Sequence, residues 1–271
     1  MNRKDEKDEK YLKIFLEPLK ICAEYRPAFG FNKDEGISLS DFQVLYGNDA
    51  FYSWIGLDSP LVYAAHRASG GLTSIYRQIG IGSERLLQNI IMDNFSLSKE
   101  CIEWKYNYVG SNKKIATHIL DARISLKDLK EKDYKEKVQN WLNQSKKETS
   151  DPNYKKIQLK GAIFEIRQGY KSADSKRQNA DLRFLANAYQ YGHLPVIAIL
   201  SSQVSETVIE RYKRNGMLVL TGNKSNKATD STFAFFKDVI GFDLEAFFER
   251  VSPKIKEEVH SLVNKLLSTE S

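Results

Sequence analysis

Residues 160–181 read KGAIFEIRQGYKSADSKRQNAD. The apolar run from Ala162 to Phe164 passes into Glu165, Arg167, Gln168 and Lys171, and a second charged cluster follows at Asp174, Lys176, Arg177 and Asp181. Basic residues at 160, 167, 171, 176, 177 and 183 surround the acids. A buried strand that carries a carboxylate and cations to its open end reads as a site rather than a solvated face, and a buried strand here implies a sheet with further strands beside it.

The flanking sequence supplies them. Residues 101–109 (CIEWKYNYV) alternate apolar and polar, Gly110-Ser111-Asn112 is a turn, and 114–124 alternates again, so the pair predicts a hairpin. Residues 126–142 predict a charged amphipathic helix, and 143–155 a loop. After the 157–167 strand come a helix over 180–191, the seven-residue apolar run LPVIAIL at 194–200, a helix over 206–214 and a short strand at 217–221. An uninterrupted apolar run is the mark of a strand covered on both faces, and strands alternating with helices imply parallel crossovers. The end of the chain predicts helices over 231–240, 244–250 and 253–267.

The first 95 or so residues predict only helices. Gly70-Gly71 ends one, Gly80 and Gly82 interrupt the next pattern, and Ser83 caps a helix with Leu86, Leu87, Ile90 and Ile91 on one stripe. The expected fold is therefore α/β, a mixed central sheet flanked by helices. A helical N-terminal domain over 1–97 precedes a sheet domain over 98–271.

Composition narrows the function. Apolar residues make up 41% of 271, enough for a core, and no apolar run reaches the length of a membrane span. The opening MNRKDEKDEK lacks the apolar stretch of a signal peptide, so the expected location is cytoplasmic, with no membrane partner. Cys22 and Cys101 show no CxxC spacing, and the four histidines show no metal-ligand spacing. No GxxxxGK[ST] loop or GxSxG elbow is present, and IGIGSER around Gly80 is not GxGxxG. Serine-hydrolase, P-loop, dinucleotide and zinc chemistries all lose ground. The net charge of +6 suits a polyanionic partner.

What remains is carboxylates at strand ends. Asp121 closes one strand and Glu165 another; on neighbouring strands the two converge. Paired carboxylates make a hard-oxygen site for Mg²⁺, and a nearby Arg or Lys stabilises charge developing on a phosphorane.

Asp121 in ILDARI, followed by Glu165-Ile166-Arg167 after an apolar strand, resembles the motif of the PD-(D/E)XK nucleases, and the element order over 83–221 is similar to their core. The resemblance implies a restriction-endonuclease-like fold and, at this size, a type II restriction endonuclease. Such an enzyme would act with Mg²⁺ on double-stranded DNA at a specific, palindromic site, as a homodimer or higher homo-oligomer. Leu120 stands where the family has proline, and Arg167 where it has lysine, so the catalytic cation is Arg167 or Lys171. Restriction enzymes that cut CCGG-containing sites look similar, with a metal-binding acid displaced into the next helix, where this chain has Asp181. The resemblance thus assigns metal binding to Asp121, Glu165 and Asp181, with Glu84 as the extra acid many members carry. Lys171, Asp174, Lys176 and Arg177 would be counterparts of residues reading guanine and cytosine, and Gln178 and Asn179 have the chemistry to read adenine. The alternatives are a sequence-specific DNA-binding protein without catalysis, for which Arg167 in place of lysine argues, and a small-molecule α/β enzyme or interaction module.

Overall fold

The computed structural model describes residues 3–30, 36–109, 115–148, 155–169, 179, 181–182 and 187–269. The fold is mixed α/β, with a mixed sheet flanked by helices. The sequence places a boundary after residue 97; the contacts divide the chain otherwise. One compact unit is Met1–Gly82 with Glu249–Ser271, and the other is Ser83–Phe248.

The first unit is helical: α1 (Arg3–Leu16), a 3-10 segment (Glu17–Glu24), α2 (Leu39–Gly47), α3 (Ala50–Trp54) and the first part of α4 (Pro60–Phe95). The C-terminal segment belongs to it because Leu262 and Leu266 bury against Leu19, Cys22 and Ile75. Arg250 adds a fork of hydrogen bonds to Asp8, at 2.6 and 3.0 Å.

Helix α4 corrects the expectation of breaks at Gly70-Gly71 and Gly80–Gly82: it is continuous from Pro60 to Phe95. The glycines are sites of close approach. A Cβ on Gly70 would collide with the Tyr25 ring and hydroxyl, and one on Gly82 with the Phe15 carbonyl oxygen. Ser83 is accordingly a fully buried mid-helix residue, not a cap. Propensity alone would make Gly82→Ala stabilising; backbone collision reverses the sign. The expected result is a net loss of about 1–2 kcal/mol in urea unfolding, and a gain would refute the close approach. The closing helices are likewise one helix, Leu244–Leu267, with Pro253 inside it.

In the second unit, β1 (Trp104–Val109) and β2 (Ile115–Leu120) form the expected antiparallel hairpin. Lys99–Ile102 is a short helix, α5, rather than the start of that strand. The second arm is not one strand to residue 124: it breaks at Asp121, and β3 (Ala122–Ser125) joins a different sheet. That sheet has the order β3-β4-β5-β6, with β4 at Gly161–Arg167, β5 at His193–Ile199 and β6 at Leu218–Leu220. Strand β3 runs antiparallel to β4, while β4, β5 and β6 are parallel, as the intervening helical segments imply.

All seven residues of β5 are buried. Pro195 pairs with Ile163, and the ladder to β6 begins one residue later at Val196↔Leu218. The missing N–H thus precedes that ladder, which is how a proline is tolerated in an inner strand. Helix α6 (Lys132–Glu148) extends six residues into the expected loop, through residue 148. It presents Trp141 stacked on Phe164, with ring centroids 6.1 Å apart, and the Trp141 indole N–H donates to the Ala228 carbonyl at 2.8 Å. Among the described residues no helix is long and apolar enough to cross a membrane.

Candidate active site

Alternation along β4 builds the site. Ala162, Phe164 and Ile166 face one side of the sheet, where Phe164 meets Trp141 of α6; Ile163, Glu165 and Arg167 therefore face the other. Glu165 and Arg167 become neighbours at the C-terminal end of the strand, where open α/β sheets present their chemistry. Asp121 lies one residue beyond the pairing Ala122↔Phe164, which carries it alongside Glu165. Its Oδ2 accepts from the Ile166 backbone N–H at 2.6 Å, so the carboxylate takes up a β4 donor just where the chain changes sheets.

Arg167 is the hub. Its Nη2 contacts Glu165 Oε1 and lies 3.0 Å from Asp181 Oδ1, and its Nη1 is 4.0 Å from Asp121 Oδ2. Asp181 is 3% exposed and Glu165 6%. Two residues that the sequence reading did not single out complete the set. The Tyr212 hydroxyl donates to Asp181 Oδ2 at 2.7 Å. The Gln88 amide N–H donates to the Asp121 carbonyl at 2.6 Å and to Glu84 Oε1 at 3.2 Å. The available signals were the four-residue spacing of Glu84 and Gln88 on one helix face and the same spacing of Val208 and Tyr212 in α7 (Glu206–Arg214), both buried.

Three acids thus share one guanidinium, with Glu84 nearby on α4, and the electrostatics record the imbalance. Burial, then Glu165 and Glu84, push the Asp121 carboxyl up to about 8. Burial raises Glu165 as well, against the pull of Arg167, and burial raises Glu84. Burial works against the charge on Arg167, but Glu165, Asp181 and Asp121 outweigh it and hold the guanidinium protonated. Among the described residues, Glu165 Oε2 and Arg167 Nε are buried with no hydrogen-bond partner. Among the described residues no group of three or more His, Cys, Asp or Glu forms a ready metal cage, because the carboxylates turn toward Arg167. A cavity of about 620 Å³ borders the acids, lined among others by Glu84, Arg85, Gln88, Lys99 and Asp121.

The structure therefore brings together Glu84, Asp121, Glu165, Arg167 and Asp181. Asn179 is exposed and accepts from Arg211 at 2.7 Å. Lys171, Asp174, Lys176, Arg177 and Gln178 lie outside the described residues. No protein-family model matches the chain, and no curated protein or solved structure is significantly similar to it.

The raised Asp121 value has a signed consequence in metal-free protein. A carboxyl whose folded value lies above its unfolded 3.8 contributes stability that is complete below pH 3.8 and lost as pH rises through about 8. His193, buried and lowered to about 4, acts oppositely: its contribution is present above 6.5 and lost as pH falls through 4. The difference between wild type and Asp121→Asn isolates the first term. In EDTA, the stability advantage of Asp121→Asn should grow steadily from pH 4 to 8 in urea unfolding, and a flat difference would rule out the raised carboxyl.

Proposed function

We propose that the protein is a Mg²⁺-dependent type II restriction endonuclease with a restriction-endonuclease-like core, acting as a homodimer on palindromic double-stranded DNA. One observation carries this reading. Among the described residues four carboxylates, Asp121 and Glu165 at strand ends and Glu84 and Asp181 on helices, hold more negative charge than Arg167 offsets, and three of them are pushed toward the proton-bound form. Such a site favours a second cation. The ligand atoms fit Mg²⁺, since all are carboxylate oxygens and Glu165 Oε2 has no partner among the described residues.

In this reading Asp121, Glu165 and Asp181 hold the ion, and Glu84 stands by across Gln88. Bound Mg²⁺ supplies a Lewis acid and a water of lowered pKa. Arg167 keeps its charge beside the reacting phosphate and stabilises the negative charge that builds there. The Tyr212 hydroxyl holds the Asp181 carboxylate, the Ile166 N–H that of Asp121 and the Gln88 amide that of Glu84, so the carboxylates meet the substrate already oriented. Lys171 and the residues through Asn179 supply the DNA-reading segment, and two-fold symmetry serves two cuts in antiparallel strands.

The deciding experiment is incubation of the purified chain with unmethylated plasmid and Mg²⁺. Discrete linear fragments are expected, and intact plasmid under all divalent ions would defeat the reading. A second reading, sequence-specific DNA binding without catalysis, is favoured by one feature: the Arg167 guanidinium occupies the centre of the acids. Gel shifts with and without Ca²⁺ separate the two, because only the nuclease reading ties binding to the ion.

A further inference from the structure

We propose that the helical unit carries a separate phosphate-binding site formed by Arg26 and Arg67. The two arginines line a cavity of about 290 Å³ together with Glu24, Ser38, Tyr63 and Lys265. Among the described residues neither guanidinium has an ion-pair partner, and the Arg67 Nε is buried with no acceptor. A buried, unpaired guanidinium N–H is costly unless something accepts from it.

The neighbouring groups do not fill that role. The Tyr63 hydroxyl already donates to the Ile37 carbonyl at 2.9 Å. The Ser38 hydroxyl donates to Asp41 at 2.8 Å and caps α2. Glu24 points at Lys265, 2.9 Å away, and its carboxyl is held low first by that hydrogen bond and then by Lys265, Arg26 and Arg67 as charges. One carboxylate therefore faces three cations, and its own bond goes to the lysine. Among the described residues the cavity keeps an excess of positive charge, and neither guanidinium is paired.

That chemistry favours a tetrahedral oxyanion, whose three or four oxygens can accept in pairs from both guanidinium forks, over a carboxylate, whose two oxygens satisfy one fork. The volume, near the lower limit of small-molecule pockets, suits a phosphate group with its ester oxygen rather than a whole nucleotide. Two sources present this group: a phosphodiester of a DNA backbone and a free phosphate monoester.

The test uses the full chain in EDTA, so that it is independent of the acidic site. Inorganic phosphate is titrated at constant ionic strength with chloride, reading the Tm. A fluorescent duplex oligonucleotide is titrated in parallel by polarisation. Phosphate should raise the Tm of the wild type, and Arg26→Gln with Arg67→Gln should weaken the effect at least about tenfold, one lost charge-assisted contact being enough. Arg26→Gln alone, at an exposed position, should weaken it with the fold intact, which guards against misfolding of the double variant. If duplex affinity also falls, with the salt slope reduced by about 0.9 per lost contact, the site holds a DNA phosphate. If duplex affinity is unchanged, it holds a free monoester. Phosphate acting no better than chloride on the wild type, or equally on wild type and variants, overturns the site. Loss of cleavage with phosphate binding intact would condemn only the nuclease reading.

Discussion

If the protein is the proposed nuclease, Glu165→Gln should lower plasmid cleavage by on the order of 10³-fold or more and at the same time raise the Tm. The loss follows from removing a charged oxygen donor that no neighbouring group can replace, an interaction that serves the reacting state. The gain follows from burial. Glu165 is 6% exposed and its carboxyl is raised despite contact with Arg167, so the site favours the neutral form over the ionised one. Glutamine keeps the volume, still accepts from the guanidinium and carries no charge to desolvate. Activity and stability should therefore move in opposite directions, as they do where a fold maintains a strained charge for function. A variant that loses cleavage and stability together would instead mark Glu165 as a structural ion-pair partner. A variant that cuts normally would remove it from the site. The measurement is initial cleavage rate beside a thermal melt on one preparation.

The second large effect is at Arg167. Arg167→Met leaves Glu165, Asp181 and Asp121 facing one another without a cation, and breaking a buried ion pair from one side costs about 3–5 kcal/mol. The loss should shrink as the pH falls, because the stranded acids take up protons and cease to repel. Arg167→Lys should fall between the two: it restores the charge that the resembled family places there but cannot bridge Glu165 and Asp181 with a planar fork. Urea midpoints at two pH values compare wild type with both variants. A methionine variant as stable as wild type at pH 8 would mean that the guanidinium is not what holds the carboxylates together.

The sheet was legible where side-chain period announces it. Alternation in 104–109 and 115–120 and the unbroken run in β5 both derive from how pleated backbone exposes its faces. The pairing of Asp121 with Glu165 followed from their positions at strand ends. The break at Asp121 was not legible, since Leu120 and Ala122 flank it without a turn residue and only the Ile166 N–H explains why the chain can change sheets there. Glycines in α4 misled because local propensity says nothing of a distant carbonyl such as that of Phe15. Tyr212 and Gln88 were hidden for a related reason: each touches an acid far away in sequence, and neither residue type announces a site. The Arg167 substitution was visible as a letter, but its bond to Asp181 needed the fold.

Strand β5 also bears on how the chain survives its own synthesis. Its partner β4 is separated from it by residues 168–192, so until the two strands pair the run LPVIAIL stands bare in a nascent chain. A seven-residue apolar segment without charge is the kind that zips with copies of itself. Pro195 near its start denies a foreign strand one backbone donor, yet costs the native sheet nothing on the β6 side, where pairing begins at the next residue. The proline thus acts as a gatekeeper against intermolecular pairing, and its value lies in solubility during folding rather than in the folded state.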